Sequence, residues 1–278
     1  MSKKVFLFVL ACASLMTSIA QTGKNPSFEE VISLQSNSNA VISPDGKHIV
    51  FEKQSVDWKG NKFDRELWLS KNGNTPFQLT NNTEGNSRNP KWSPDGEWIA
   101  FSSKRGEKTQ IHVIRVMGGE ASQLTRTEMN ISNFEWSPDG KKIAFLQSED
   151  NSKEEKKRKD KFGGFAVEDA EFNLNQIWVL DFNPAKLHHF PSPEQLKDSL
   201  FKKKHEAKPL LDSTSFSVNN FKWSPDGKKM AIEHQPNPLI NTFFEADISI
   251  YDIETKSIQS LVKNPSNDGL VDLSLIHI

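Results

Sequence analysis

A five-residue motif, Trp-Ser-Pro-Asp-Gly, recurs along the chain and constrains the fold more than any other feature. Each copy is followed, three residues after its Gly, by a short apolar tail such as Ile143-Ala144-Phe145. The four copies start at Ile42, Trp92, Trp136 and Trp223, with Ile in place of Trp in the first. A unit that repeats on a scale of tens of residues is typical of propellers and solenoids.

The residue types of the motif predict a turn. Pro presets φ at the first turn position, Asp suits the second, and Gly tolerates a positive φ. Such a turn reverses the chain between two antiparallel strands. The four motif aspartates are therefore predicted to form turns and not to act in catalysis or metal binding. They are Asp45, Asp95, Asp139 and Asp226.

Two further landmarks follow each motif in the same order. The first starts at Glu66, Gln110, Gln176 and Asp247, and the second at Phe77, Ser122, Pro209 and Ile258. Grouped with the strand that leads into the next Trp, they predict four strands per unit, as in a propeller blade. The predicted fold is all-β, an incomplete β-propeller of about four four-stranded blades over residues 43–272. The blades are predicted to start near residues 43, 93, 137 and 224.

The third unit is unusually long. Its motif serine, Ser137, precedes Ser224 by about two repeats, yet each landmark occurs only once between them. The unit is therefore predicted to be one blade with insertions at 149–172 and 183–208. The mixed charges of 149–161 predict a solvated loop, whereas Ser192-Pro193-Glu194-Gln195 predicts the start of a short helix toward Lys204.

No catalytic, cofactor-binding or metal-binding residue is predicted. The chain contains no Gly-x-Ser-x-Gly elbow, His-Glu-x-x-His, P-loop or Cys-x-x-Cys motif. His188 and His189 are adjacent, so on a strand they would point to opposite faces, and no third His or Cys is near them. The net charge of -1 does not favour a nucleic-acid partner.

The N-terminus has the pattern of a signal peptide. Lys3 and Lys4 precede a short apolar run, and small residues end the segment at Ala20. The sequence predicts cleavage after Ala20 and a periplasmic or secreted bacterial protein, without a membrane span. The alternative is lipid attachment at Cys12, because Val9-Leu10-Ala11-Cys12 resembles a lipoprotein box. Ser27 and Glu30 form a capping-box pattern, which predicts a short helix within 21–42, ahead of a lead-in strand.

The order of these features resembles bacterial members of the prolyl oligopeptidase family, in the acylaminoacyl-peptidase and dipeptidyl-peptidase branches. The resemblance covers about residues 27–264 and rests most on the charged insertion, on 164–169 (Gly-Phe-Ala-Val-Glu-Asp) and on Ile177-Trp178. Ser-Pro-Asp-Gly alone is shared with TolB-like propellers. The alternative is therefore a non-catalytic, periplasmic TolB-like propeller that binds a protein.

The resemblance implies a function. In that family a propeller, usually of seven blades, covers a C-terminal α/β-hydrolase domain that holds a Ser, Asp and His triad. The propeller restricts access to short or unfolded peptides. This chain would then be the substrate-gating propeller of a secreted serine peptidase, inactive alone, with peptides as substrates of the missing domain.

The end of the chain departs from the repeat. The next motif serine is expected near 268–274, but 264–269 runs into Leu-Ser-Leu-Ile-His-Ile at 273–278. That hexapeptide looks like the translation of a transposase sequencing adapter, so 273–278 is predicted to be a non-native tail and the reading frame truncated. Open blade edges would favour self-association.

Overall fold

The computed structural model describes residues 25–82, 85–149, 153–163, 172–187, 207–211, 215–262 and 268–270. Within these ranges the chain forms four antiparallel sheets of four strands each, and strands that are consecutive in the chain are neighbours in the sheet. Together they form an incomplete β-propeller, which confirms the predicted fold class.

The strands of the first two sheets precede the long unit. The first sheet contains β1 (Ser36–Ile42), β2 (His48–Asp57), β3 (Lys62–Lys71) and β4 (Phe77–Gln78). The second contains β5 (Ser87–Trp92), β6 (Trp98–Lys104), β7 (Thr109–Arg115) and β8 (Ser122–Gln123).

The other two sheets follow. The third contains β9 (Ile131–Trp136), β10 (Lys142–Ser148), β11 (Asn175–Asp181) and β12 (Lys208–Leu211). The fourth contains β13 (Ser217–Trp223), β14 (Lys229–Gln235), β15 (Asp247–Asp252) and β16 (Ile258–Val262). The single sheet across the long third unit agrees with one blade that carries insertions.

The predicted grouping of strands is wrong by one strand. Each motif turn joins the first and second strands of one sheet, so the strand that leads into the Trp pairs with the tail that follows it: Trp92 is the partner of Ile99, and Trp136 of Ile143. Each sheet therefore begins one strand before its motif serine. Hydrogen bonding favours this arrangement, because a tight turn pairs the two strands that it connects.

In the described part of the chain, two short α-helices lie outside the sheets, along with 3-10 turns at Pro184–Lys186 and Ile240–Glu245. The helix α1 (Phe28–Ile32) has the predicted capping box, with Glu30 N–H donating to Ser27 Oγ at 3.2 Å and Ser27 N–H to Glu30 Oε2 at 2.7 Å. It belongs to a unit that ends at Leu34, separate from the sheets. The helix α2 (Lys153–Phe162) replaces the solvated loop predicted for 149–161. Its Lys, Glu and Arg residues are strong helix formers, and acidic residues precede basic ones by four positions. The predicted helix from Ser192 lies outside the described residues.

The apolar cores lie between neighbouring sheets. One core joins the first and second sheets through residues such as Leu67 and Phe101, and another joins the second and third through Val113 and Phe145. A third joins the third and fourth sheets. The alternating apolar tails of the motifs thus fill the space between sheets, as face-to-face packing of propeller blades requires.

Candidate functional site

The four motif aspartates all lie in turns. In the third copy, Gly140 N–H donates to the Ser137 carbonyl at 2.9 Å, and Gly140 has a φ of 69°. Ser137 Oγ donates to Asp139 Oδ1 at 2.6 Å, and Lys141 N–H donates to the same oxygen at 3.0 Å. The serine hydrogen bond is the main cause that lowers the pKa of Asp139. The other copies repeat these contacts at Asp45, Asp95 and Asp226.

Successive motif turns lie side by side. A Cβ built on Gly140 would lie 3.5 Å from Pro94 Cδ, and one on Gly96 would lie 3.8 Å from Pro44 Cδ. The indole N–H of Trp136 donates to the Lys91 carbonyl of the preceding sheet at 3.1 Å. The motif therefore joins neighbouring sheets as well as reversing the chain, which accounts for its residues without any catalytic role.

A polar row on the first strands of the sheets is the first candidate for a functional surface. In all four repeats an Asn stands three residues before the Trp or Ile of the motif: Asn39, Asn89, Asn133 and Asn220. Asn133 Nδ2 donates to Asn220 Oδ1 at 3.0 Å, from the third sheet to the fourth. This repeated Asn was not predicted, although it is visible when the four motifs are aligned.

Two residues closer to the motif, three charges meet across three sheets. Glu135 Oε1 accepts from Lys91 Nζ at 2.7 Å and from Lys222 Nζ at 2.5 Å. All three side chains are half-buried. Burial lowers the pKa of Lys91, and the charge of Glu135 opposes that shift. Two cations thus share one carboxylate, which leaves a net positive charge on this stretch of the row.

The polar row ends in the first sheet at Glu52. Its carboxylate is fully buried and accepts from Asn39 Nδ2 at 2.7 Å, from Asn89 N–H at 2.7 Å and from Arg65 Nη1 at 3.3 Å. A buried charge is tolerated when it is paired and hydrogen-bonded. Glu52 therefore ties the first sheet to the second, and its burial keeps its carboxylate away from solvent.

A cavity of about 490 Å³ opens at the opposite end of the sheets from the motif turns. It is formed where the first strands begin and the hairpins of the first two sheets turn, and polar side chains make up most of its lining: Lys62, Asp64, Asn86, Arg88, Asn89, Ser102, Ser103, Lys104, Thr109 and Ser132. Its volume lies in the range of small-molecule sites. It is the second candidate for a functional surface.

A second cavity, of about 570 Å³, lies among the motif turns of the third and fourth sheets. Trp223, Leu210 and Val179 contribute an apolar lining. The buried indole N–H of Trp223 has no hydrogen-bond partner among the described residues, unlike the equivalent groups of Trp92 and Trp136. The contact between sheets is thus looser here.

A serine and a histidine are hydrogen-bonded in the fourth sheet. Ser249 Oγ lies 2.8 Å from His234 Nε2, and Asp247 pairs with His234 across the strands. Burial lowers the pKa of His234, and Asp247 opposes that shift. Ser249 is buried and lines neither of the two cavities described above, so its hydroxyl cannot meet a substrate as a nucleophile must. In the first sheet, the equivalent positions hold Lys53 and Trp68, and the Lys53 ammonium lies over the Trp68 ring. This equivalence indicates that His234 and Ser249 contact each other as part of the packing between strands.

The two histidines weighed as metal ligands, His188 and His189, lie outside the described residues. Across the residues that are described, no group of three or more His, Cys, Asp or Glu side chains could hold a metal ion. Among those same residues, no helix is both long and apolar enough to cross a membrane.

Comparison with protein-family models agrees with the propeller fold that the repeated motif and the four sheets indicate. Residues 29–164 match the family model of the TolB beta propeller domain. This region, just under half of the chain, is thus similar to TolB propeller domains. The structure resembles TolB from Acinetobacter baumannii, with a TM-score of 0.50 and 20% identity, over 83% of this chain and 44% of that one.

The propeller is also similar to parts of peptidases. It is 36% identical over 117 residues to dipeptidyl-peptidase 5 of Porphyromonas gingivalis, which covers 40% of this chain and 17% of that protein. It is 29% identical over 101 residues to the uncharacterized peptidase YuxL of Bacillus subtilis, over 35% of this chain and 15% of that protein. The matched segments thus span less than a fifth of these relatives.

The structure also resembles part of acylaminoacyl peptidase from Pyrococcus horikoshii, with a TM-score of 0.55 and 15% identity over 84% of this chain and 33% of that one. At that identity the likeness shows the fold alone. On this propeller, the polar row and the polar cavity both offer cations and hydrogen-bond donors. The geometry of the described residues is therefore suited to binding a ligand that carries hydrogen-bond acceptors.

Proposed function

We propose that this propeller is the substrate-gating part of a serine peptidase of the prolyl oligopeptidase family. The observation that supports the proposal most is the 36% identity over 117 residues to dipeptidyl-peptidase 5. The triad would belong to an α/β-hydrolase domain, and the propeller would admit short or unfolded peptides to it.

The contacts of the first strands are compatible with a gate. Peptides expose backbone amides and carbonyls, and the row of asparagines with Lys91 and Lys222 offers partners for both. The row is held rigidly, because its members bond to one another across sheets. A rigid polar lining can let an extended chain pass while excluding a folded protein by size.

The genomic sequence downstream of Gly269 tests this proposal. An α/β-hydrolase domain with a Gly-x-Ser-x-Gly elbow is expected, and the product of that gene should react with a fluorophosphonate probe of active serines. A stop codon after further propeller repeats, with no such labelling, would contradict the proposal.

That contradicting outcome supports the alternative, a non-catalytic TolB-like propeller that binds a protein. The family match over residues 29–164 is compatible with this alternative as well. Cross-linking in cells separates the two, because the alternative expects a stable protein partner and the peptidase does not.

We also propose that the protein is exported and that residues 1–20 are removed after Ala20. The basic start and the short apolar run support this. N-terminal sequencing of the exported protein is the test. A first residue of Gln21 is expected, and a lipid-modified Cys12 would show anchoring instead.

A further inference from the structure

The 490 Å³ cavity at the hairpin end of the sheets has a hydroxyl with no partner. Ser103 is only 1% exposed, and its Oγ makes no hydrogen bond within the described part of the chain. It lies in the wall of the cavity. Burying a hydroxyl without a partner is unfavourable, so a ligand that satisfied it would gain from that contact.

The described lining is positively charged. Lys62, Arg88 and Lys104 are cationic, and Asp64 is the one acidic group among the described lining residues. Arg88 and Lys104 make no ion pair within the described residues. Burial raises the pKa of Asp64.

The shape of the cavity is fixed by backbone contacts. Gly85 packs so closely on the hairpin of the second sheet that a Cβ there would lie 2.1 Å from the Lys104 carbonyl oxygen. Asn86 Oδ1 accepts from Arg65 N–H at 2.8 Å, which holds the start of the second sheet against the first. The chain segments that frame the cavity are therefore preorganised, which lowers the cost of binding.

We infer that this cavity binds a carboxylate, with Ser103 donating its hydroxyl and Arg88 and Lys104 supplying the charge. The volume accommodates the end of a short peptide. That the carrier of the carboxylate is a peptide rests on the proposed function, whereas the carboxylate site itself does not.

Calorimetric titration of the full chain tests the inference with three probes. The probes are trialanine with a free C-terminal carboxylate, trialanine amide, and acetyl-Ala-Glu-Ala amide, whose only carboxylate is on the side chain. Binding of the first but not of the amide is expected. Binding of the third identifies a side-chain carboxylate as a source as well.

Variants locate the site. Ser103→Ala is expected to weaken trialanine binding about fivefold, and Lys104→Gln about two- to fivefold. Lys141→Gln is the matched control, because Lys141 is equally exposed but lies in a motif turn at the other end. Should Ser103→Ala fail to fold, Arg88→Gln takes its place.

Three outcomes would overturn the inference. They are equal binding of the acid and the amide, no binding of any probe at millimolar concentration, and equal weakening by Lys141→Gln and Lys104→Gln. Because the titration measures binding without hydrolysis, it can fail while the peptidase proposal stands, and the reverse also holds.

Discussion

Glu135 accepts a hydrogen bond from Lys91 of the preceding sheet at 2.7 Å and from Lys222 of the following sheet at 2.5 Å. One carboxylate thus links three sheets. Such an arrangement stabilises the junctions more than an isolated surface pair does, because the side chains are half-buried and hydrogen-bonded.

Replacing that carboxylate should destabilise the protein. Glu135→Gln leaves two ammonium groups close together without a counter-charge, and we expect a loss of about 1–2 kcal/mol in the free energy of unfolding. Urea unfolding at pH 7 measures it. Glu120→Gln, at an exposed position, is the control and should change stability by less than about 0.5 kcal/mol. Adding Lys222→Gln to Glu135→Gln should cost less than the sum of the single changes.

Replacing a motif tryptophan by Phe should reduce the stability of the protein by an amount that depends on which of the three is replaced. Trp92 and Trp136 donate indole hydrogen bonds to carbonyls of the preceding sheet, at 3.0 Å and 3.1 Å. Trp223 makes no such bond within the described residues. We expect Trp136→Phe to cost about 1 kcal/mol more than Trp223→Phe, because only the first loses a hydrogen bond. Equal losses in chemical unfolding would show that the bond does not matter.

Replacing either of two motif glycines by alanine should reduce the stability of the protein by similar amounts. Gly46 and Gly140 have φ values of 74° and 69°, which a side chain adopts at a cost of about 1–2 kcal/mol. A Cβ on Gly46 meets nothing within 4 Å, and one on Gly140 meets Pro94 at an ordinary contact distance of 3.5 Å. Thermal or urea unfolding of Gly46→Ala and Gly140→Ala should therefore show similar losses. A much larger loss for Gly140→Ala would mean that the two turns lie closer together than in this structure.

His112 should make stability depend on pH. Burial, with the charges of Arg105 and Arg126, lowers its pKa to about 3. Between pH 6.5 and about pH 3 the unfolded chain binds a proton that the folded chain does not, so stability falls as pH falls. The slope from this group is at most about 1.4 kcal/mol per pH unit.

His112→Phe supplies the comparison for that pH effect. The first and third sheets have Trp68 and Trp178 at the equivalent position, each paired with a Phe across the strands, so an aromatic side chain suits this environment. Urea unfolding at pH 7 and pH 5 should show a smaller loss on acidification in the variant. An unchanged loss would assign the pH dependence to other groups.

Local sequence patterns predicted much of this fold correctly. The turn at each Ser-Pro-Asp-Gly depends on residues within five positions, such as Ser137 and Asp139, so its chemistry is visible in the chain. The number and order of strands followed from repetition. The capping box at Ser27 and Glu30 is equally local.

Which strand belongs to which sheet could not be predicted in the same way. That choice depends on pairing such as Trp136 with Ile143, and the repeat is compatible with either grouping. The helix α2 was missed because its mixed charges predict solvation without distinguishing a loop from a helix. The Ser103 cavity arises where three sheets meet, so no stretch of sequence encodes it.

From its own residues the chain specifies a series of like units, because each turn and each apolar tail is stabilised by neighbours close in sequence. The contacts that give the propeller its polar row and its cavity join residues tens of positions apart, such as Lys91 and Glu135. Those contacts form only when sheets pack face to face, since the packing brings equivalent positions of successive repeats together. Their charges and their unsatisfied groups are thus properties of the assembled sheets.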